Sequence, residues 1–219
     1  MNWRKSSMIC VALSETNFDK CVELSKKFDL AEIRLDMTKF SHDQVKKIFS
    51  GGTKLIATCR PGEISEKERK ELLLLAINSG ATYVDIEFET DFGFKQEIIS
   101  AAIKKKCDVI ISYHNFEFTP PKEQLKIIVN QSFDMGANVA KIACMVGKPE
   151  DNAILLSIYE TGKRIVSIGM GEIGKISRIA APFLGAEFTF ASATDEFVTA
   201  TGQISYTKLK TIIELLKNS

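Results

Sequence analysis

The chain has 219 residues, of which 45% are hydrophobic and 26% charged, a composition that suits one sizeable core and leaves no low-complexity segment or linker. A formal net charge of +1 excludes the electrostatic footprint that nucleic acid or an anionic membrane requires. The five cysteines (Cys10, Cys21, Cys59, Cys107, Cys144) are scattered with no CxxC pair, which fits a reducing, cytoplasmic setting better than a disulfide framework or a zinc site. The short apolar run Met8–Leu13 predicts a first strand, because it is too short for a signal peptide or a membrane span. Thr16–Lys27 carries apolar residues at helical spacing. Leu30–Leu35 predicts a second strand in which Glu32 and Arg34 alternate with apolar neighbours. Ser41-His42-Asp43-Gln44 is a capping box that opens a helix and leaves His42 in solvent. Gly51-Gly52 closes that helix, and Lys54–Cys59 predicts a third strand ending at Arg60. Ser65-Glu66-Lys67-Glu68 is a second capping box, ahead of a leucine-rich helix to about Ser79.

Five further strands are expected at Thr82–Phe88, Asp108–Tyr113, Asn138–Ile142, Arg164–Ile168 and Glu187–Phe190. Amphipathic helices fill the gaps; Thr119-Pro120-Pro121 caps one, and the last covers Ser205–Lys217. Ser79-Gly80-Ala81, Met135-Gly136-Ala137, Thr161-Gly162-Lys163 and Leu184-Gly185-Ala186 each put glycine after a helix and just before a strand, as a left-handed C′ position demands. Strand and helix alternate throughout, with no run of consecutive strands. The pattern predicts an α/β fold, a single-domain (β/α)8 TIM barrel over residues 1–219. A doubly wound open sheet shares the same alternation.

In such a barrel the site lies at the C-terminal ends of the strands, and the polar oddities collect there. They are Glu32, Arg34, Arg60, Asp85, Glu87, His114, Lys141, Arg178 and Gln203. The bland reading of each is structural: an ion pair for Glu32 with Arg34, a strand-end cap for Asp85, a satisfied histidine for His114. Lys141 stands inside the apolar run Ala137–Ala143, where burial opposes its charge and favours a nucleophilic free amine. Gly169-Met170-Gly171-Glu172-Ile173-Gly174 matches a dinucleotide fingerprint, yet too little chain follows to complete that unit. No strained nucleophile elbow supports a triad, and two distant histidines do not make a metal site.

A free amine on Lys141 can attack a ketone to form an iminium, which acidifies the neighbouring carbon. His114 titrates near neutrality and suits removal of that proton. Arg60 and Arg178 offer forked donors to a carboxylate or hydroxyls. The residues therefore point to Schiff-base-assisted proton abstraction with elimination or carbon–carbon cleavage, with no metal and no cofactor.

The motifs that carry this chemistry read EIRLD (Glu32–Asp36), ATCRP (Ala57–Pro61), YVDIE (Tyr83–Glu87), ISYHNF (Ile111–Phe116), VAKIA (Val139–Ala143), GMGEIGKISRI (Gly169–Ile179) and TATGQ (Thr199–Gln203). Over nearly the whole chain they resemble the type I 3-dehydroquinate dehydratases of the shikimate pathway. The resemblance implies a lyase that converts 3-dehydroquinate to 3-dehydroshikimate in aromatic amino-acid biosynthesis, in a cytoplasmic homodimer. It implies Lys141 as the imine-forming lysine and His114 as the general acid/base. It implies substrate contacts from Glu32, Arg34, Arg60, Arg178, Thr199 and Gln203, with Asp85 placed behind the histidine. Two segments depart from the family pattern. The closing loop, commonly SAPGQ, is Thr199-Ala200-Thr201-Gly202-Gln203, which keeps a hydroxyl and loses the proline. The loop glutamate of an EGG segment is answered only by Glu63, in a shorter Arg60–Ser65 stretch. Two other readings compete: an aldolase-type Schiff-base barrel, and a barrel that binds a small carboxylate without turnover.

Overall fold

The computed structural model describes residues 8–194 and 201–218. Eight parallel strands form one sheet: β1 (Ile9–Leu13), β2 (Leu30–Arg34), β3 (Leu55–Thr58), β4 (Tyr83–Glu87), β5 (Asp108–Asn115), β6 (Val139–Met145), β7 (Ile165–Met170) and β8 (Thr189–Ser192). Each of β1 to β6 pairs with the next in sequence, and β8 returns to pair with β1 through Ile9↔Thr189 to Ala12↔Ser192. That return makes the sheet a nearly closed barrel and rules out the open doubly wound alternative. The seam lies between β7 and β8. There the Glu187 N–H donates to the Ile165 carbonyl at 2.9 Å, and no ladder forms among the described residues.

The helices are α1 (Phe18–Ser25), α2 (Leu35–Thr38), α3 (His42–Phe49), α4 (Glu66–Asn78), α5 (Phe92–Lys105), α6 (Lys122–Asp134), α7 (Pro149–Ser157), α8 (Lys175–Ala180) and α9 (Tyr206–Asn218). Their ends follow local chemistry. Ser41 and Gln44 form the reciprocal capping box ahead of α3, with His42 exposed. Ser65 accepts from the Glu68 N–H ahead of α4. Gly80, Gly136, Gly162 and Gly185 all adopt positive φ, which lets each helix stop and the next strand begin within a few residues.

Period-two alternation divides the strand residues into two cores. Outward residues such as Ile33, Val84, Ile111 and Ala191 pack under the helices. Inward residues Cys10, Leu30, Ile56, Tyr83, Ile110, Val139, Val166 and Phe188 fill the barrel floor. Each large apolar side chain buried there contributes roughly 1.5–3 kcal/mol by leaving water. The next inward position up several strands is polar: Glu32, Thr58, Asp85, Ser112 and Lys141, all buried. The apolar floor therefore carries a charged layer towards the C-terminal mouth.

Several boundaries depart from the sequence expectation. β5 runs on to Asn115, so His114 lies within the strand and does not follow it. β8 begins at Thr189, two residues later than expected, because Glu187 is committed to the seam and to Arg164. Leu35 leaves β2 and opens the short α2. Thr119 does not cap α6: its hydroxyl donates to the Met145 carbonyl at 2.8 Å, and Pro121 takes the cap position without a side-chain bond.

Candidate active site

Lys141 is the third residue of β6 and points into the barrel, only 5% exposed. Its Nζ lies 2.9 Å from Asp85 Oδ2, 3.7 Å from Glu32 Oε1 and 4.6 Å from the centre of the Phe190 ring. Burying an ammonium is costly unless carboxylates compensate, and β2 and β4 supply them. Glu32 also accepts from the Thr58 hydroxyl at 2.9 Å, which fixes its orientation.

Asp85 is fully buried and accepts from three neighbours: Lys141, Arg60 through both terminal nitrogens at 2.9 and 3.0 Å, and the Ser112 hydroxyl at 2.6 Å. Burial alone pushes its carboxyl up, but the Arg60 and Lys141 charges outweigh that and hold it far below the usual carboxylate range. Arg60 also donates to Glu87, whose other oxygen is held by Arg69. Arg69 is anchored in turn by the Cys59 carbonyl at 2.7 Å. Burial works against the Arg60 charge, and Asp85 and Glu87 reverse that effect and raise its pKa.

His114 stands one inward step above this layer. Ser112 pairs with Lys141 and His114 with Ala143, so His114 rises about 7 Å along the neighbouring strand and about 4.8 Å to one side. Both side chains line one cavity of about 520 Å3. The imidazole is stacked on Phe116, with planes 11° apart and centroids 6.0 Å apart. Burial, and then the Arg60 and Lys141 charges, push its pKa well below the ordinary value; Asp85 opposes them only in part. The imidazole is therefore neutral at pH 7 and able to accept a proton.

Arg178, on α8, is 2% exposed and differs from the other buried cations. Its guanidinium donates to the carbonyls of Gly202 at 3.1 Å and Phe190 at 3.3 Å, and burial without a carboxylate pushes its pKa down to about 10. A buried guanidinium opposite open space suits an anionic ligand. The glycines around it are packing requirements. A Cβ on Gly174 would meet the Gly169 carbonyl carbon at 2.5 Å, and one on Gly202 would meet the Gly171 carbonyl oxygen at 2.2 Å.

The cavity brings together Glu32, Arg34, Arg60, His114, Lys141, Arg178 and Gln203. Arg34 makes a two-pronged pair with Asp36 at 3.1 and 2.7 Å. Asp85 lies beneath the cavity floor and bonds Lys141, whereas the sequence reading put it behind the histidine. Thr199 lies outside the described residues. Glu63 is exposed and does not line the cavity. Sequence reasoning missed Glu89, Met170, Phe116 and Phe190 in the lining, and the roles of Thr58, Arg69 and Ser112 beneath it. The alternation Asp85, Glu87, Glu89 was a usable signal for the first of these. Among the described residues no group of three or more His, Cys, Asp and Glu side chains is placed to hold a metal ion, and no helix is long and apolar enough to cross a membrane.

Comparison with known proteins agrees with the barrel fold. Residues 9–219 match the family model described as Type I 3-dehydroquinase. A 3-dehydroquinate dehydratase of Methanosarcina barkeri is 32% identical, with 98% of this chain and 96% of the relative covered. One from Methanocaldococcus jannaschii is 34% identical, with 95% and 99% covered. Among solved structures, the type I 3-dehydroquinate dehydratase of Clostridium difficile with covalently modified comenic acid superposes with a TM-score of 0.86 at 26% identity, covering 97% of this chain and 92% of that one. The Aquifex aeolicus 3-dehydroquinate dehydratase gives a TM-score of 0.81 at 30% identity, covering 95% and 98%.

Proposed function

This chain belongs to the type I 3-dehydroquinase family, and from that premise we propose that it is a lyase dehydrating 3-dehydroquinate to 3-dehydroshikimate through an imine on Lys141, with His114 as general acid/base. The observation that carries the reading is the shared cavity, which Lys141 and His114 line from neighbouring strands and Arg178 lines from α8.

Lys141 Nζ, once its proton has left, adds to the substrate ketone; loss of water gives a protonated imine. The imine nitrogen carries the same charge as the ammonium it replaces, so Asp85 and Glu32 compensate both without rearrangement. Neutral His114 takes the proton from the carbon beside the imine, and the electron pair of that C–H bond forms an enamine. The enamine pushes back, the C–O bond to the β-hydroxyl breaks, and the imidazolium returns its proton to the departing oxygen as water. Hydrolysis of the conjugated imine releases the product and restores Lys141. Arg178 receives the substrate carboxylate, and Glu32, Arg34 and Gln203 meet its hydroxyls. Arg60 holds Asp85 and Glu87 in place, and Thr199 is a further substrate contact. The buried free cysteines suit a reducing cytoplasm. Assembly as a homodimer is part of the same reading, and sedimentation tests it.

The test is borohydride reduction in the presence of substrate, followed by peptide mass spectrometry. Wild type and His114→Ala should both give a reduced adduct on Lys141, whereas turnover in His114→Ala should fall by roughly 10²–10⁴-fold. Lys141→Ala should give neither adduct nor turnover. An unmodified Lys141 in wild type that still forms the conjugated enone would rule out the imine. Carbon–carbon cleavage products would favour an aldolase.

A further inference from the structure

Of the three cations that balance Glu32, Asp85 and Glu87, Arg60 and Lys141 line the cavity and Arg69 does not. Ser65 sets the place of Arg69: the Arg69 N–H donates to the Ser65 carbonyl at 2.9 Å in the first turn of α4. That register puts Arg69 on the helix face that buries Leu72, Leu73 and Ala76, and Arg69 itself is 4% exposed. Its Nε donates to the Cys59 carbonyl at 2.7 Å, and its Nη2 to Glu87 and to the Thr90 hydroxyl at 3.1 Å. Its Cζ lies 4.6 Å from the centre of the Phe94 ring on α5.

Arg60 is overcommitted on the other side of Glu87. Its Nη1 has two N–H bonds and faces three acceptors: Asp85 at 2.9 Å, the Ser112 hydroxyl at 3.0 Å, and Glu87. Arg69 takes the other oxygen of Glu87 and so limits the claim Glu87 makes on Arg60. Arg60 in turn leads the charges that oppose a proton on His114. The charged groups that face His114 are Glu32 and Arg34 from β2, Arg60 from β3, Asp85 and Glu87 from β4, Glu89 just beyond it, Lys141 from β6 and Arg178 from α8. Without Arg69, the carboxylates Glu32, Asp85 and Glu87 would face two cations, and an excess buried negative charge draws in a proton.

Building on the reading of His114 as the base, we propose that Arg69 is a positioning residue for the reaction: by holding Glu87 it keeps Arg60 on Asp85 and completes the charge balance of the layer below His114. It acts through Glu87 and Arg60 and touches no substrate atom.

Histidine-ring NMR of the free full chain reads this directly, because the protein has two histidines and the exposed His42 serves as an internal reference. Arg69→Gln keeps a donor and loses the charge. Its His114 titration midpoint should rise by about half a pH unit or more while His42 stays put. The acid limb of kcat/KM should rise with it. Arg69→Lys should recover most of the shift. Arg69→Gln combined with Glu87→Gln removes one charge of each sign and should bring the midpoint back towards wild type. Lys70→Gln, the next residue of α4, whose Nζ is paired with Glu97 at 2.8 Å, should leave it unmoved. A merely structural arginine would lower the unfolding midpoint in denaturant and leave the His114 titration where it was. That result overturns the proposal, as does a shift that the double variant does not reverse. Where Arg69→Gln does not fold, Glu87→Gln decides: it leaves Arg69 as a surplus cation, so a His114 midpoint at or above that of wild type overturns the proposal. Borohydride trapping at Lys141 reads the underlying mechanism separately. An absent adduct in wild type sinks the imine, whereas the histidine titration needs no substrate and still decides the role of Arg69.

Discussion

His114 meets two opposing demands. Catalysis asks it to hold a proton, yet burial and the nearby Arg60 and Lys141 charges drive the proton away. Its folded pKa therefore lies below the unfolded value of about 6.5. The sign follows. Above the unfolded value both states are neutral and folding loses nothing; as pH falls towards the folded value, the unfolded chain binds a proton first and stability declines. For the free enzyme the same shift keeps the base form populated in mild acid. The kcat/KM profile should stay level from pH 7 down through 6.5 and turn over only below the ordinary histidine range. An acid limb at or above 6.5 would contradict this. Lys141 shows how far a single residue is legible. Its apolar neighbours announce burial, but the carboxylates that compensate it come from Asp85 and Glu32, far away in the chain, and only the barrel brings them together.

At the level of elements, β7 and α8 are joined by a turn in which glycines touch glycines. Gly174 packs against Gly169 so closely that its Cβ would fall 2.6 Å from the Gly169 and Met170 carbonyl oxygens. All those atoms are backbone and cannot swing aside. Gly174→Ala should therefore cost about 1–3 kcal/mol or more in denaturant unfolding and should raise KM, since α8 carries Arg178. Gly62→Ala, with nothing within 4 Å, is the control expected to be neutral. Equal stability of the two variants would refute the packing argument. Element type and order could be read from hydrophobic period and helix caps because those signals are local. Ends failed where a distant partner decides them. β5 extends to Asn115 because β6 runs alongside it, and Thr119 abandons its cap for the Met145 carbonyl. Most of the candidate site was legible because inward positions alternate with apolar ones along each strand. Phe116 escaped because it lies past the predicted end of its strand, where that alternation no longer says which way a side chain faces; Glu89 continues the alternation of Asp85 and Glu87 one residue past the predicted end of β4.

Over the whole molecule, apolar residues close the floor and charged residues line the mouth, so stability and chemistry occupy different storeys of one barrel. The charged storey is nearly balanced: Lys141, Arg60 and Arg69 are met by Glu32, Asp85 and Glu87, and Arg178 is left facing two carbonyls. The seam between β7 and β8 gives that surplus a mechanical meaning. Where the other strand pairs are laced by full ladders, this one is held near its base by the Glu187–Ile165 bond. Arg178 sits astride the gap: its carbonyl accepts from Thr189, and its guanidinium reaches Phe190 and Gly202. Breathing of the cylinder should concentrate at this line, and an anion clasped by Arg178 should act as a rivet across it. Amide deuteration followed by mass spectrometry would register this as slower labelling of β8 than of β3 when substrate-sized carboxylate is added. Uniform slowing around the wall would mean that the cylinder flexes as one piece.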